Sequence, residues 1–401
     1  MTEFTNPFRP GAGHQPPYLA GRHAERQEFA RLLEQATILE NMLLTGLRGV
    51  GKTVLLDSLK PLAVEKRWIW IGADLNESSS ISEENIATRL CTDLSLATSS
   101  IVVSTTSSHA PGFASETTIR ERTLTYAELA SIYTQTPGLP LDKIKTVIET
   151  AWDAISRDGS ARGIVFAYDE AQNLSDHAEK ERFPLSLVLD AFQSLQRKNL
   201  PLMLVLAGLP TLFPKLVEAR TFSERMFRSV FLQGLSYRDS REAIMKPIEN
   251  TQSVKLADDS VDTVIKMSGG YPYFIQFICK EVYDAFIRRW DRGERGSVPV
   301  REIERKLDTD FFSGRWSRTT DRQRELLAVI ARLPNCDDEF TVQEIVEKSR
   351  EGKEKSFSSS HTNQMLAALG IQGLVFKNRH GKYSFAVPML GDYIRRQSQE
   401  Q

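Results

Sequence analysis

Cysteine is scarce in this sequence, with three residues in 401. Cys91, Cys279 and Cys336 stand apart, each in or beside an apolar stretch, so they form neither a disulfide framework nor a metal-ligand cluster. They read as buried thiols of a reducing compartment. Long hydrophobic runs are also missing, and no stretch reaches the ~18 apolar residues of a membrane span. The opening residues, Met1 to Pro10, lack a basic segment followed by an apolar core and do not read as a secretory signal; the expectation is a soluble, cytoplasmic chain. No charge sign dominates: 51 Lys and Arg balance 52 Asp and Glu. A nucleic-acid or membrane partner would therefore need a local patch. The length gives room for about two to three domains.

What is present begins with Met42-Leu43-Leu44-Thr45-Gly46-Leu47-Arg48-Gly49-Val50-Gly51-Lys52-Thr53-Val54. An apolar strand pattern, the spacing G-x-x-x-x-G-K-T and a helical pattern follow one another in the order a phosphate loop requires. Glycines let backbone N–H groups turn inward around a polyphosphate, and the next helix presents its positive end to the same anion. Lys52 would reach the β- and γ-phosphates of ATP, and the Thr53 hydroxyl would ligate Mg²⁺. Gly46, Arg48, Gly49, Val50, Gly51, Lys52, Thr53 and Val54 make up the candidate cradle.

The second informative stretch is Gly163-Ile164-Val165-Phe166-Ala167-Tyr168-Asp169-Glu170. It places two carboxylates at the carboxyl end of a strand, the edge where open α/β sheets hold ligands. Asp169 would hold Mg²⁺ and Glu170 would polarise the water that attacks the γ-phosphate. Strand patterns at Trp68–Ile71 and Leu202–Ala207 alternate with helical ones near Ile81–Leu96, Pro140–Arg157 and Phe183–Gln196. This alternation predicts a parallel sheet with helices on both faces. Residues 97–125 are rich in Ser and Thr and read as a mobile insertion with a short hairpin around Ile101–Val103.

Residues 1–17 read as a flexible arm, 18–235 as the nucleotide-binding domain, 236–312 as a helical lid and 313–401 as a winged helix. Ser236 with Asp239 resembles a helix start. Gly269-Gly270-Tyr271-Pro272 stops one helix and starts another, and this joint suits a lid over a nucleotide. Helical stripes at Gln323–Leu333, Phe340–Lys348 and Phe357–Leu369 precede a hairpin pattern over Leu374–Phe385, the order of a winged helix. Such a module offers its third helix to the major groove of double-stranded DNA, here with Ser359, His361 and Asn363, while Lys377, Arg379, His380 and Lys382 at the hairpin tip face phosphates. Residues 351–401 carry seven Lys and Arg against four Asp and Glu, a surplus of three, so a protein-docking role stays open beside the DNA role. Arg22, just before the first helical pattern, either touches the nucleotide or lies in an ordinary turn. Arg225 and Arg228 offer guanidinium groups to a neighbouring subunit's site or sit on a salt-bridged surface.

Taken together, these motifs resemble those of the AAA+ ATPases, within them most the branch of origin-recognition-type initiators and archaeal-type ATPases, and in places the STAND signalling ATPases. The resemblance implies Walker A at Gly46, Gly51, Lys52 and Thr53, and Walker B at Asp169 and Glu170. It further implies an entry segment beside adenine at Tyr18 to Arg22, an arginine finger at Arg225 or Arg228, and a homo-oligomeric assembly. Two departures stand out. Gly208 occupies the usually polar sensor 1 position, and Gly270-Tyr271-Pro272 lacks the initiators' sensor 2 arginine and looks like the Gly-x-Pro joint of STAND proteins, with Pro272 against the nucleotide. The resulting expectation is an Mg-ATP-dependent ATPase of slow turnover that switches an assembly contacting DNA or, alternatively, protein.

Overall fold

A computed structural model of the protein describes residues 5–11, 13–99, 102–109, 117–159, 161–249, 255–290, 298–351, 356–379 and 381–399. The chain divides into two compact units. One comprises Met1–Arg22, Gly46–Val54 and Leu232–Gln401, and the other His23–Thr45 and Leu55–Phe231. This differs from the four consecutive domains expected from the sequence, because the arm, the phosphate loop, the lid helices and the C-terminal part group together.

The second unit is built on a sheet of β1 (Asn41–Gly46), β2 (Trp68–Ile71), β5 (Gly163–Tyr168), β6 (Leu202–Gly208) and β7 (Phe227–Leu232), in the order β2-β5-β6-β1-β7. Met42 pairs with Val205, Phe166 with Leu204 and Ile69 with Ile164, all in parallel register. Every residue of β1, β5 and β6 is buried, as expected for parallel strands covered on both faces. The helix Pro140–Asp158 buries Ile144, Val147, Ile148, Ala151 and Ile155, a stripe at the 3.6-residue period. Proline opens this helix and Gly159, at φ 68°, closes it. Phe166 meets Phe192 edge to face, with ring centroids 4.9 Å apart.

The Ser/Thr-rich insertion holds a longer hairpin than the sequence suggested: β3 (Val102–His109) pairs antiparallel with β4 (Thr117–Thr123), with Thr105 opposite Glu121. Ile101 and residues 110–116 lie outside the described residues. β-branched residues are frequent on both strands, with Val102, Val103, Thr105 and Thr106 on one and Thr117, Thr118, Ile119 and Thr123 on the other, which suits pairing.

In the first unit, the helices Tyr237–Met245, Asp258–Ser268 and Pro272–Trp290 lead through Val300–Leu307 into a π-helical turn, Asp308–Phe312. The helices Asp321–Ala331, Val342–Arg350 and Ser359–Ile371 follow, then the hairpin of β9 (Val375–Arg379) and β10 (Lys382–Phe385) and a terminal helix, Leu390–Gln399, that the sequence reading did not anticipate. Phe340 and Thr341, expected to be helical, form β8 against β10 and give the order β8-β10-β9. Thr341 then caps the helix through a reciprocal bond with Glu344. Lid and C-terminal part share a single core: Phe274 to Phe311, Phe311 to Phe312 and Phe312 to Tyr393 have ring centroids 4.9, 5.0 and 5.0 Å apart. The expected boundary at residue 312 therefore falls inside a packed aromatic stack. The described residues of the N-terminal arm form no helix or strand, and they are anchored: Phe8 is buried near Tyr283, and Asn6 donates to the Lys280 carbonyl at 3.0 Å.

Candidate nucleotide site

The phosphate loop leaves the end of β1. Gly49 and Gly51 adopt φ 79° and 90°, conformations that cost an L-residue about 1–2 kcal/mol. Gly46 is required for a different reason, since a Cβ there would lie 2.8 Å from the Leu232 carbonyl oxygen and 2.9 Å from Val50 Cγ1. The helix Lys52–Glu65 begins directly after the loop. Lys52 Nζ donates to the carbonyls of Gly46 and Leu47 at 2.9 and 3.0 Å, which holds the ammonium over the loop. Thr53 and Val54 lie under the N-terminal arm: a Cβ on Gly13 would be 3.6 Å from Thr53 Cγ2, and Gln15 Nε2 donates to the Val54 carbonyl at 3.3 Å.

Arg22, itself at φ 63°, donates through Nη2 to the carbonyls of Val50 at 3.0 Å and Gln233 at 2.7 Å. It thereby braces the loop against the segment after β7, a structural tie that the sequence could not distinguish from nucleotide contact. The Gly-Gly-Tyr-Pro joint sits directly on the loop. Tyr273 N–H donates to the Gly49 carbonyl at 3.1 Å, and Pro272 Cγ is 3.8 Å from where a Gly51 Cβ would be. Gly269 and Gly270, at φ 57° and 75°, make the sharp turn that brings it there.

In the sheet unit, Asp169 is 3% exposed at the end of β5. Its carbonyl accepts from Leu75 N–H at 2.9 Å, and its Oδ1 accepts from Glu170 N–H at 2.7 Å. Glu170 takes φ 51°, a left-handed turn that lifts its side chain off the strand axis. Gln172 Nε2 donates to Glu170 Oε2, while Gln172 Oε1 accepts from Leu209 N–H at 3.0 Å. Lys215 Nζ reaches the Gln172 carbonyl at 2.8 Å and Ser175 Oγ at 2.9 Å, and burial lowers its pKa. Gln172 and Lys215 were missed as site residues, although the Asp169-Glu170-Ala171-Gln172 sequence carried the signal. Below them, Tyr168 OH donates to Asp93 Oδ2 at 2.9 Å, with Arg89 Nη2 2.7 Å from Asp93 Oδ1. Burial, then the Asp93 charge, raises the Tyr168 pKa well above its ordinary value, so the phenol stays protonated.

β6 lies between β1 and β5 with parallel pairing to each. β1 and β5 thus end at the same carboxyl edge of the sheet. The candidate arginines occupy the other edge. Asn41, at the start of β1, donates to the Met226 carbonyl at 3.3 Å, which fixes Arg225 and Arg228 at the amino ends of the strands. Arg228 Nε is 2.9 Å from Glu28 Oε1, whereas Arg225 lines a cavity of about 400 Å³ with Thr37, Leu39 and Asn199. Arg220, between them and the helix that precedes them, is bound to both carboxylate oxygens of Asp190 at 2.8 and 2.7 Å.

In the C-terminal part, Ser359, His361 and Asn363 are exposed on the helix Ser359–Ile371, and Lys377 is exposed on β9 with Lys382 half-buried on β10. Tyr383 OH donates to Asn363 Oδ1 at 3.4 Å, tying hairpin to helix. The Arg379 side chain and His380 lie outside the described residues.

A parallel sheet whose first strand runs into a glycine loop and whose strand β5 ends in an acidic pair defines a P-loop nucleotide-binding protein. The particular kind follows from family comparison. Residues 18–217 match the AAA ATPase domain family, and this part of the chain is an AAA ATPase domain. Residues 309–394 match a domain of unknown function (DUF8462). No curated protein sequence matches the chain. Among solved structures, the chain is similar to the Aeropyrum pernix ORC2 protein in its ADP form, at 13% identity over 98% of this chain and 97% of that one, with a TM-score of 0.53. The same protein in its ADPNP–ADP complexes gives 14% identity over 98% of each chain and a TM-score of 0.51. At these identities the likeness establishes the fold. Among the described residues no helix is long and apolar enough to cross a membrane.

Proposed function

We propose that the protein is a slow, Mg²⁺-dependent ATPase in which nucleotide state sets the disposition of a C-terminal winged helix. The observation that carries this reading is a glycine-bearing loop that follows β1 in sequence and an Asp169–Glu170 pair that follows β5, two strands that run parallel in one sheet. The donor set fits Mg²⁺: a hydroxyl at the start of a helix and a buried carboxylate are the hard oxygen ligands this ion takes. Thr53 and Asp169 would hold it, and when bound it supplies charge neutralisation at the phosphates. Lys52 and the loop N–H groups bind the polyphosphate. Glu170 orients and polarises water, and Gln172 fixes its carboxylate in place of a polar side chain at position 208.

Because Arg225 and Arg228 sit at the opposite sheet edge, an arginine completes the site only in a neighbouring copy. Arg225 is the better candidate, since Arg228 is engaged by Glu28. Glu170→Gln should retain ATP binding and lose at least 100-fold in turnover; unchanged turnover rejects the assignment.

The winged helix would read double-stranded DNA through Ser359, His361 and Asn363, with Lys377, Arg379 and Lys382 on phosphates. The aromatic core shared with the lid favours a second reading, in which the winged helix docks on protein and acts as a STAND-like switch. Salt-dependent duplex binding weakened by Lys377→Ala and Lys382→Ala supports the DNA reading. Binding that these changes leave unaltered favours the second.

A further inference from the structure

Within the unit that holds the phosphate loop, a cavity of about 380 Å³ is lined by Arg48, Asp310, Phe311, Arg315, Arg318 and Gln372. Its walls come from three separated segments: the phosphate loop itself, the π-helical turn with the short helix after it, and the turn after the helix Ser359–Ile371. Three arginines and one aspartate are among its lining residues. No carboxylate lies within ion-pair distance of Arg48, Arg315 or Arg318 among the described residues, whereas Arg322, Arg324, Arg395 and Arg396 in the same unit are so paired. Burial, then the like charges of Arg48 and Arg318, lower the Arg315 pKa. Three cations beside a single carboxylate leave a net positive charge that an anion would offset.

A second observation comes from Gln372, whose amide oxygen is buried without a hydrogen-bond partner. Rotating the amide by half a turn puts an NH₂ donor there instead, since the two orientations differ only in the hydrogen bonds they make. A buried polar atom of this kind calls for a partner. The turn Asp308–Phe312 is π-helical, a distortion that recurs at functional sites, and it places Asp310 and Phe311 on the cavity wall. The cavity volume lies within the usual range for a small ligand, about 300–1,000 Å³.

We propose that this cavity is a second anion site, separate from the ATP site, which takes a small ligand bearing a phosphoryl group with two or more negative charges. The guanidinium forks of Arg315 and Arg318 bind its oxygens, Arg48 closes it from the loop side and the Gln372 amide donates from the far wall. Bidentate arginine contacts suit a phosphoryl group particularly well. The site is joined to the loop by a short chain of contacts. Tyr273 N–H holds the Gly49 carbonyl at 3.1 Å, the Tyr273 ring lies 5.5 Å from that of Phe311, and Arg315 lies over the Phe311 ring at 4.9 Å. Occupancy therefore fixes the 308–318 segment against the loop and communicates with the ATP site.

The test uses the full chain carrying Lys52→Ala, which disables the phosphate loop, with inorganic pyrophosphate as probe in titration calorimetry and thermal melting. One pyrophosphate per chain should bind, with a rise in Tm. Adding Arg318→Gln, an exposed side chain without an ion-pair partner, should weaken binding at least tenfold, as should Arg315→Gln, and Arg315→Lys should retain part of it. Three results overturn the proposal: absence of binding in the Lys52→Ala chain while the wild type binds, which assigns the anion to the ATP loop; binding insensitive to Arg315 and Arg318 changes, which leaves an adventitious ion only; and duplex DNA capture through these arginines without pyrophosphate binding. ATP binding by the Arg318→Gln chain with Lys52 intact is measured alongside, so failure here is distinguishable from failure of the nucleotide assignment.

Discussion

A methyl group on residue 208 would sit 2.7 Å from Gln172 Oε1 and 2.9 Å from Leu212 Cδ2. Glycine is there because the Gln172 side chain crosses the strand end to reach Glu170 and the Leu209 amide. Gly208→Ala should push Gln172 aside and free the Glu170 carboxylate. Both Gly208→Ala and Gln172→Ala are expected to lower ATP turnover by about 10- to 100-fold with ATP affinity unchanged, as measured by steady-state kinetics beside equilibrium binding. Lys215 gives a pH test at the same scale. Burial depresses its pKa below the ordinary 10.5, so between the two values the unfolded chain binds more protons than the folded one. Stability attributable to this group therefore rises with pH across that window, and the penalty is full below it. Urea unfolding at neutral and alkaline pH should show a smaller alkaline gain for Lys215→Met than for the wild type; equal gains would refute the assignment.

Among elements, the helix Pro140–Asp158 and the strand β2 use glycine in contrasting ways. Gly159, at φ 68°, has nothing within 4 Å of a built Cβ, so Gly159→Ala should cost only the backbone term of about 1 kcal/mol. Gly72 follows β2 at φ 134°, and a Cβ there would stand 1.8 Å from the Ala167 carbonyl oxygen, so Gly72→Ala should disrupt the β2–β5 edge and prevent accumulation of folded protein. In the lid, Phe312 is 1% exposed and touches Phe274, Phe311 and Tyr393. Truncation to alanine should cost about 3–5 kcal/mol and lower the lid and C-terminal transitions together, because they share that core. Two separate calorimetric transitions would instead indicate independent domains.

For the whole molecule, the placement of Arg225 and Arg228 at the amino edge of the sheet predicts that an isolated chain turns over slowly and an assembly faster. Turnover per subunit should rise with protein concentration. Lys52→Ala and Arg225→Ala chains, each inactive alone, should recover activity when mixed, since a subunit with an intact loop then meets a neighbour with an intact arginine. Failure to complement, with both variants folded, argues against a shared site. The near balance of 51 Lys and Arg against 52 Asp and Glu leaves duplex binding to local charge, so it should be modest and fall with salt in proportion to the few phosphates contacted.

The sequence by itself determined the parallel sheet, the phosphate loop, the acidic pair and the order of helices before the final hairpin. Each of these is encoded locally, in glycine spacing, 3.6-residue stripes and fully apolar strands, and so is legible along the chain. Ser236 likewise announced its helix, where it accepts from Asp239 N–H at 3.1 Å. Only the tertiary structure decided that Arg22 grips Val50 and Gln233, that Phe8 is anchored, and that the Gln172 side chain fills the space beside Gly208. The same holds for the arginine cavity, whose members lie up to 325 positions apart, from Arg48 to Gly373. Such contacts join residues remote in sequence, and no periodicity or spacing along one segment specifies which distant partner a side chain will meet when the core closes.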